Sequence, residues 1–308
     1  MNISSTTCKQ QAIKARQGSI EVLRIISALF ILLFHIDQSP YKNISHSGLI
    51  CFIIISIVFQ SKSANKTSAR DYYSKRITRI SNPWLFWFTA YLIINISTQK
   101  PLFPQSHGIV NNILTGPWIG LWFFPFILIT SITIFPIIRS LSKTNSAIRI
   151  AFYSASTLLL LTLYSTLKAT TQTPWPQWLR ALPSIPLALI TYELTQFKKQ
   201  KTIPTASLTA FTALSCTLLA PSLTTTYTIA TSATAIAFSL EKFKSAKIYQ
   251  ISSLCLGVYV THSIYIKALN KVVPSASSNF AAVFAFSAIL SFLGAYILSK
   301  TKLRLLIT

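Results

Sequence analysis

In the stretch SIEVLRIISALFILLFHIDQ, Ser19 to Gln38, an arginine and a histidine stand in a mostly apolar run. Arg24 and His35 stand eleven residues apart. At about 100° per residue that is three turns plus roughly 20°, so a helix carries both on nearly one face, about 16 Å apart along its axis. Imidazole exchanges protons near neutral pH, and guanidinium grips anionic oxygens through paired N–H donors. An ionisable side chain within an apolar span ordinarily faces the protein interior or a wet cavity. The plainer alternatives are a snorkelling anchor for Arg24 and an interhelical hydrogen bond for His35.

A second histidine, His262, falls about fourteen residues into a later apolar stretch, at a depth that matches His35. The two are candidates to converge in one site, with a structural hydrogen bond as the alternative for His262. Tyr259, one turn earlier, and Trp122 are candidate pocket-lining residues, and Asp37 and Glu193 are secondary candidates for orienting partners. His46 and His107 fall in predicted outer loops and read as solvated or facing a substrate on the outer side. No His-x-x-x-His, Cys-x-x-Cys or paired-carboxylate motif occurs, and with five acidic residues in all a metal site is not expected. Seven glycines and no glycine-rich phosphate loop leave ATP-driven chemistry without a basis.

The elements that must position these residues are apolar helices. With 51% hydrophobic and 11% charged residues and a mean hydropathy of +0.52, the composition is that of a membrane protein. Apolar stretches near the ~20 residues that cross a bilayer recur at 20–36, 47–60, 83–97, 118–138, 149–166, 180–196, 203–220, 224–239, 248–267 and 279–299. The expected fold is therefore an all-α bundle of about ten transmembrane helices in a single domain over 1–308, with residues 1–19 as a cytoplasmic N-terminal segment. No small-residue cleavage site follows the first apolar run, so that helix is expected to be retained. Of the four cysteines, Cys51, Cys216 and Cys255 sit in apolar spans and Cys8 precedes them, with no redox or metal spacing.

A formal charge of +23 in a soluble protein would suggest nucleic acid, but its distribution points to topology. With the N-terminus inside, twenty-one of the twenty-eight Lys and Arg fall in cytoplasmic segments. Six fall outside, namely Lys42, Lys100, Lys168, Arg180, Lys267 and Lys271. That bias follows the positive-inside rule and predicts both termini in the cytoplasm, with membrane lipids as the partner of the basic surfaces and no nucleic acid.

IEVLRIISALFILLFH resembles the first-helix signature of the membrane acyltransferase 3 family, an Arg, ten residues and a His. CFIIISIVF resembles the family's second helix, with Ser56-Ile57 at the place expected for a Ser-Gly pair. YYSKRITRISNPWLFWF resembles the basic entry to its third, with Arg76 and Arg79 at the Arg-x-x-Arg positions. GLWFFPFILITSITIFPIIRSL and SLCLGVYVTHSIYI are similar to later helices, the second carrying a Tyr and a His. The resemblance covers nearly the whole chain and is thinnest over the Thr-rich part, roughly 200–240.

The resemblance implies transfer of an acyl group, commonly acetyl from cytoplasmic acetyl-CoA as co-substrate, to a hydroxyl of a surface glycan or lipid-linked saccharide at the outer face. It implies a multi-pass protein of a bacterial inner membrane and no permanently bound cofactor. Arg24, Arg76 and Arg79 are then the donor-binding residues, Arg76 and Arg79 spaced to hold CoA phosphates and Arg24 binding phosphate or the pantetheine arm. His35 is a general base or an acyl-relay residue, and His262 a second catalytic candidate. The alternative is a transporter or flippase for a lipid-linked glycan, in which Arg24 and His35 bind the cargo or couple protons.

Overall fold

The computed structural model of the protein describes residues 17–103, 108–196, 202–240, 243–272 and 279–307. Most of the N-terminal segment, with Cys8, Lys9, Lys14 and Arg16, lies outside the described residues, as do His107, Lys198, Lys199, Lys201 and Lys242. Among the described residues the regular structure is entirely helical, with no strand. In chain order the helices are α1 (Gly18–Phe34), α2 (Lys42–Ser45), α3 (Ser47–Ala64), α4 (Ala69–Ser97) and α5 (Ile109–Thr115). A 3-10 turn at Ile119–Trp122 leads into α6 (Phe123–Leu141), α7 (Ser146–Leu167), α8 (Trp175–Ala181), α9 (Ser184–Leu194) and α10 (Thr202–Leu219). There follow α11 (Thr224–Ser239), α12 (Ala246–Ser252), α13 (Cys255–Val272) and α14 (Phe280–Ser299), and a 3-10 turn at Lys302–Leu306.

Among the described residues, four stretches are long and apolar enough to cross a membrane: Lys42–Ala64, Ile119–Leu141, Ser146–Leu167 and Phe280–Ser299. Two predicted spans are each built from two helices. The stretch 180–196 breaks at Leu182-Pro183, where proline lacks the N–H that would continue the helix. The stretch 248–267 breaks at Ser253-Leu254, and the Gly257 N–H then donates to the Ile307 carbonyl at 3.2 Å. The C-terminal turn thus docks on the start of α13, where a Cβ on Gly257 would stand 2.8 Å from that of Ala295.

The chain forms two compact units, Met1–Phe52 with Ser232–Thr308 and Ile53–Thr231. In the first, the start of α1 is tied to the end of α11, Ser19 Oγ donating to the Ala237 carbonyl at 2.7 Å and Gln17 Nε2 to the same oxygen at 2.8 Å. Along α1, Ala28 packs with Leu254, Cys255, Val258 and Ala295, and further on Leu32 and Ile36 pack with Ile266 and Val283. Rising numbers meet rising numbers, so α1 and α13 run parallel, a register fixed by apolar side chains three to four residues apart. The first turn of α3 presses on α1 at Gly48, where a Cβ would stand 2.5 Å from the Ser27 carbonyl oxygen. Only a residue without a side chain fits against the α1 backbone at this point.

In the second unit, α4 begins at Ser68, whose hydroxyl oxygen accepts from the Asp71 N–H. It packs on α6 through Tyr72 and Phe135, ring centroids 4.7 Å apart, and further along Tyr91 stacks on Trp118 at 5.0 Å. The helices α7 and α9 are clamped by a partly buried ion pair in which Arg149 Nε and Nη2 donate to the two Glu193 oxygens at 2.8 and 2.7 Å. The Ser146 hydroxyl adds a third donor at 3.1 Å. Glu193 is thus occupied within its own unit, and its expected role as an orienting partner for a site histidine is corrected. Large apolar side chains left on the outside, among them Phe152 and Leu159 on α7 and Ile289 and Leu293 on α14, suit a lipid-facing surface.

Candidate active site

The first helix ends at His35, whose N–H closes the last turn on the Leu32 carbonyl at 3.1 Å. Its ring extends to α13 and stacks on His262, with centroids 4.7 Å apart and planes within 13° of parallel. His262 is fully buried. Its Nδ1 lies 2.6 Å from the Tyr259 carbonyl oxygen and 3.3 Å from that of Val258. A carbonyl only accepts, so Nδ1 carries the proton and the neutral ring keeps its basic lone pair on Nε2. Tyr259 is buried beside it, with ring centroids 6.1 Å apart.

Two further groups gather at this end of the first unit. His46, expected as a solvated loop residue, is 7% exposed, with its ring edge-on to Phe34 at 4.9 Å. The connection after α1 folds back tightly through the one-turn α2, which brings His46 onto the helix it has just left. Lys42 Nζ stands 5.8 Å from the Phe34 ring and 4.0 Å from Asp37 Oδ1. The Asp37 side chain is itself almost fully exposed, which leaves it pairing with Lys42 rather than orienting a buried imidazole.

At the other end of α1, Arg24 Nη1 lies 3.1 Å from Glu21 Oε2, and the Ser252 hydroxyl at the end of α12 donates to the same carboxylate oxygen. Glu21 is 3% exposed, while about a third of the Arg24 side chain is open. The carboxylate thus holds one edge of the guanidinium and leaves its other donors available. Glu21 and Ser252 were not among the sequence candidates. The Glu-x-x-Arg spacing, one turn of helix, was a signal for Glu21, whereas Ser252 is brought in by tertiary packing. Both residues of the eleven-residue spacing accordingly work on the side of α1 that meets the α12–α13 segment.

Arg76 and Arg79 lie in the second unit, on α4, which starts early enough to put them one turn apart on one face. The Arg76 guanidinium sits 5.6 Å over the Tyr72 ring, and Arg79 is exposed. Partial burial lowers the Arg76 pKa from its ordinary value, opposed by Tyr72 and reinforced by the Arg79 charge. Trp122, in the 3-10 turn before α6, is 7% exposed and packs edge-on against Phe126 at 5.6 Å. No group of three or more His, Cys, Asp or Glu among the described residues is arranged to hold a metal ion.

A family model described as an acyltransferase domain matches residues 17–300 of the chain. No curated protein and no solved structure matches it.

Proposed function

From the premise that the chain belongs to the acyltransferase 3 family and is a membrane acyltransferase, we propose that it moves an acetyl group from acetyl-CoA to a hydroxyl of a cell-surface or lipid-linked glycan. The stacked pair His35 and His262 carries this reading. His35 acts as general base. The acceptor oxygen attacks the thioester carbon while its proton passes to the His35 imidazole. The C–S bond then breaks, and the CoA thiolate takes that proton back. His262, fixed by its Nδ1 hydrogen bond, holds the His35 ring by stacking and offers Nε2 to the same space. Buried groups that keep each other in place lower the cost of reaching the reactive geometry.

Arg24 binds the donor through the guanidinium edge that Glu21 leaves open, and Arg76 and Arg79 serve CoA phosphates as a pair one helical turn apart. Presentation across the bilayer completes the reading: about ten spans in a bacterial inner membrane, both ends cytoplasmic, donor entering from inside and acceptor at the outer face. The positive-inside distribution of Lys and Arg supports that orientation.

Mass spectrometry of surface glycan from cells with and without the gene tests the reading. Loss of an acetyl-sized mass increment on an otherwise intact glycan is expected. Loss of the whole glycan would instead identify a transporter for a lipid-linked saccharide.

A further inference from the structure

In the second unit the short helices α5 and α8 hold a concentration of polar atoms without a hydrogen-bond partner among the described residues. They are Asn112 Oδ1 and Thr115 Oγ1 on α5, and Gln177 Oε1, Trp178 Nε1 and Arg180 Nε on α8. All five atoms are buried, and Thr115 and Trp178 as whole residues are 3% and 9% exposed. The two helices touch, Trp175 Nε1 donating to Asn111 Oδ1 at 3.2 Å. The Trp178 ring lies 5.5 Å from Trp175 and 5.5 Å from Phe126.

Buried polar groups are nearly always paired, and leaving one unpaired is costly. The surrounding backbone meets that rule: Asn95 Nδ2 donates to the Leu102 and Pro117 carbonyls, and the Tyr227 hydroxyl to that of Arg180. The unpaired set is mixed in kind. Asn112 and Gln177 present acceptors, Trp178 and Arg180 donors, and Thr115 either. A phosphate has only acceptor oxygens to offer and would leave the two amide carbonyls unmet, and an acyl chain would meet none of the five. A sugar ring supplies hydroxyls that donate and accept, together with a C–H face for indole rings.

We propose that the α5–α8 corner is a saccharide-binding site, with Gln177, Trp178 and Asn112 hydrogen-bonding ring hydroxyls and the Trp175–Trp178 pair supplying the apolar contact. Its assignment to the acceptor of acyl transfer rests on the proposed function; saccharide binding as such does not. With one cation, Arg180, in the set, the site suits a neutral or singly anionic sugar.

The test applies the full-length protein in lipid nanodiscs to an array of neutral and acidic oligosaccharides. Wild type is expected to bind a subset of them. Trp178→Phe, which keeps an aromatic ring but removes the indole N–H with part of the ring surface, and Gln177→Ala are each expected to weaken that binding roughly tenfold or more while the protein still unfolds in one cooperative melting transition. No binding by wild type, or full binding by both folded variants, would overturn the site. Acetyl transfer assayed on the same preparations separates the two proposals. Saccharide binding without transfer leaves the site standing and removes the acyltransferase chemistry. Transfer whose acceptor KM is unaltered in both variants does the reverse.

Discussion

The imidazole of His35, at the C-terminal end of α1, lies face to face with that of His262 in the middle of α13, 4.7 Å between centroids. The two residues are separated by more than two hundred positions, and the packing of Ala28 and Leu32 against α13, which runs parallel to α1, and against α14, which runs antiparallel, brings them together. His262 is fixed from below by its own helix through Nδ1, so it serves as a rigid plate for the ring of His35. Substitution can separate that positioning role from any role of its nitrogen. His262→Phe, which keeps a flat ring, is expected to retain about ten times the acetyl-transfer rate of His262→Ala, an order of magnitude typical of positioning effects. Equal rates for the two variants would show that stacking does not hold His35.

Glu21 fixes one edge of Arg24, and Ser252 fixes Glu21. Glu21→Gln retains a hydrogen-bonding side chain and removes the charge. It is expected to raise KM for acetyl-CoA about tenfold, the worth of a charge-assisted hydrogen bond, while kcat stays near wild type. Steady-state kinetics with acetyl-CoA as the varied substrate reads this directly, and a fall in kcat with unchanged KM would place Arg24 at the chemical step instead.

Gly48 admits no side chain. Replacement by Leu must push α3 away from the Ser27 carbonyl and Phe30, and overpacking of this kind costs about 1–3 kcal/mol. The expected result is a lowered melting temperature in detergent and reduced yield of folded protein. Wild-type melting of Gly48→Leu would contradict the close approach.

The Arg149–Glu193 pair ties α7 to α9. Glu193→Ala strands a partly buried guanidinium and is expected to lower the melting temperature, whereas Arg149→Met combined with Glu193→Leu recovers most of that loss. Thermal unfolding compares the two variants. Acetyl transfer per folded molecule is expected to match wild type in the double variant.

Much of the site was legible because helical geometry is regular. The eleven-residue spacing put Arg24 and His35 on one face, and depth counting placed His262 level with His35, without any knowledge of how α1 and α13 pack. What stayed hidden depended on contacts between segments distant in the chain. Ser252 bonds Glu21 only because α12 ends beside α1. His46 read as solvated because a connection of about twelve residues gives no sign that one turn of helix folds it back onto Phe34. The breaks at Leu182-Pro183 and Ser253-Leu254 interrupt apolar stretches that hydropathy reads as continuous. Glu193 was a candidate partner for histidine until its two oxygens met Arg149.

The measurement closest to the central claim is transfer of radiolabelled acetyl from acetyl-CoA to glycan by the purified protein in nanodiscs, wild type against His35→Ala. The reading of His35 as general base predicts incorporation by wild type and a loss of about 10² to 10⁴ in rate for His35→Ala at an unchanged melting temperature. Equal incorporation by the folded His35→Ala protein would contradict it.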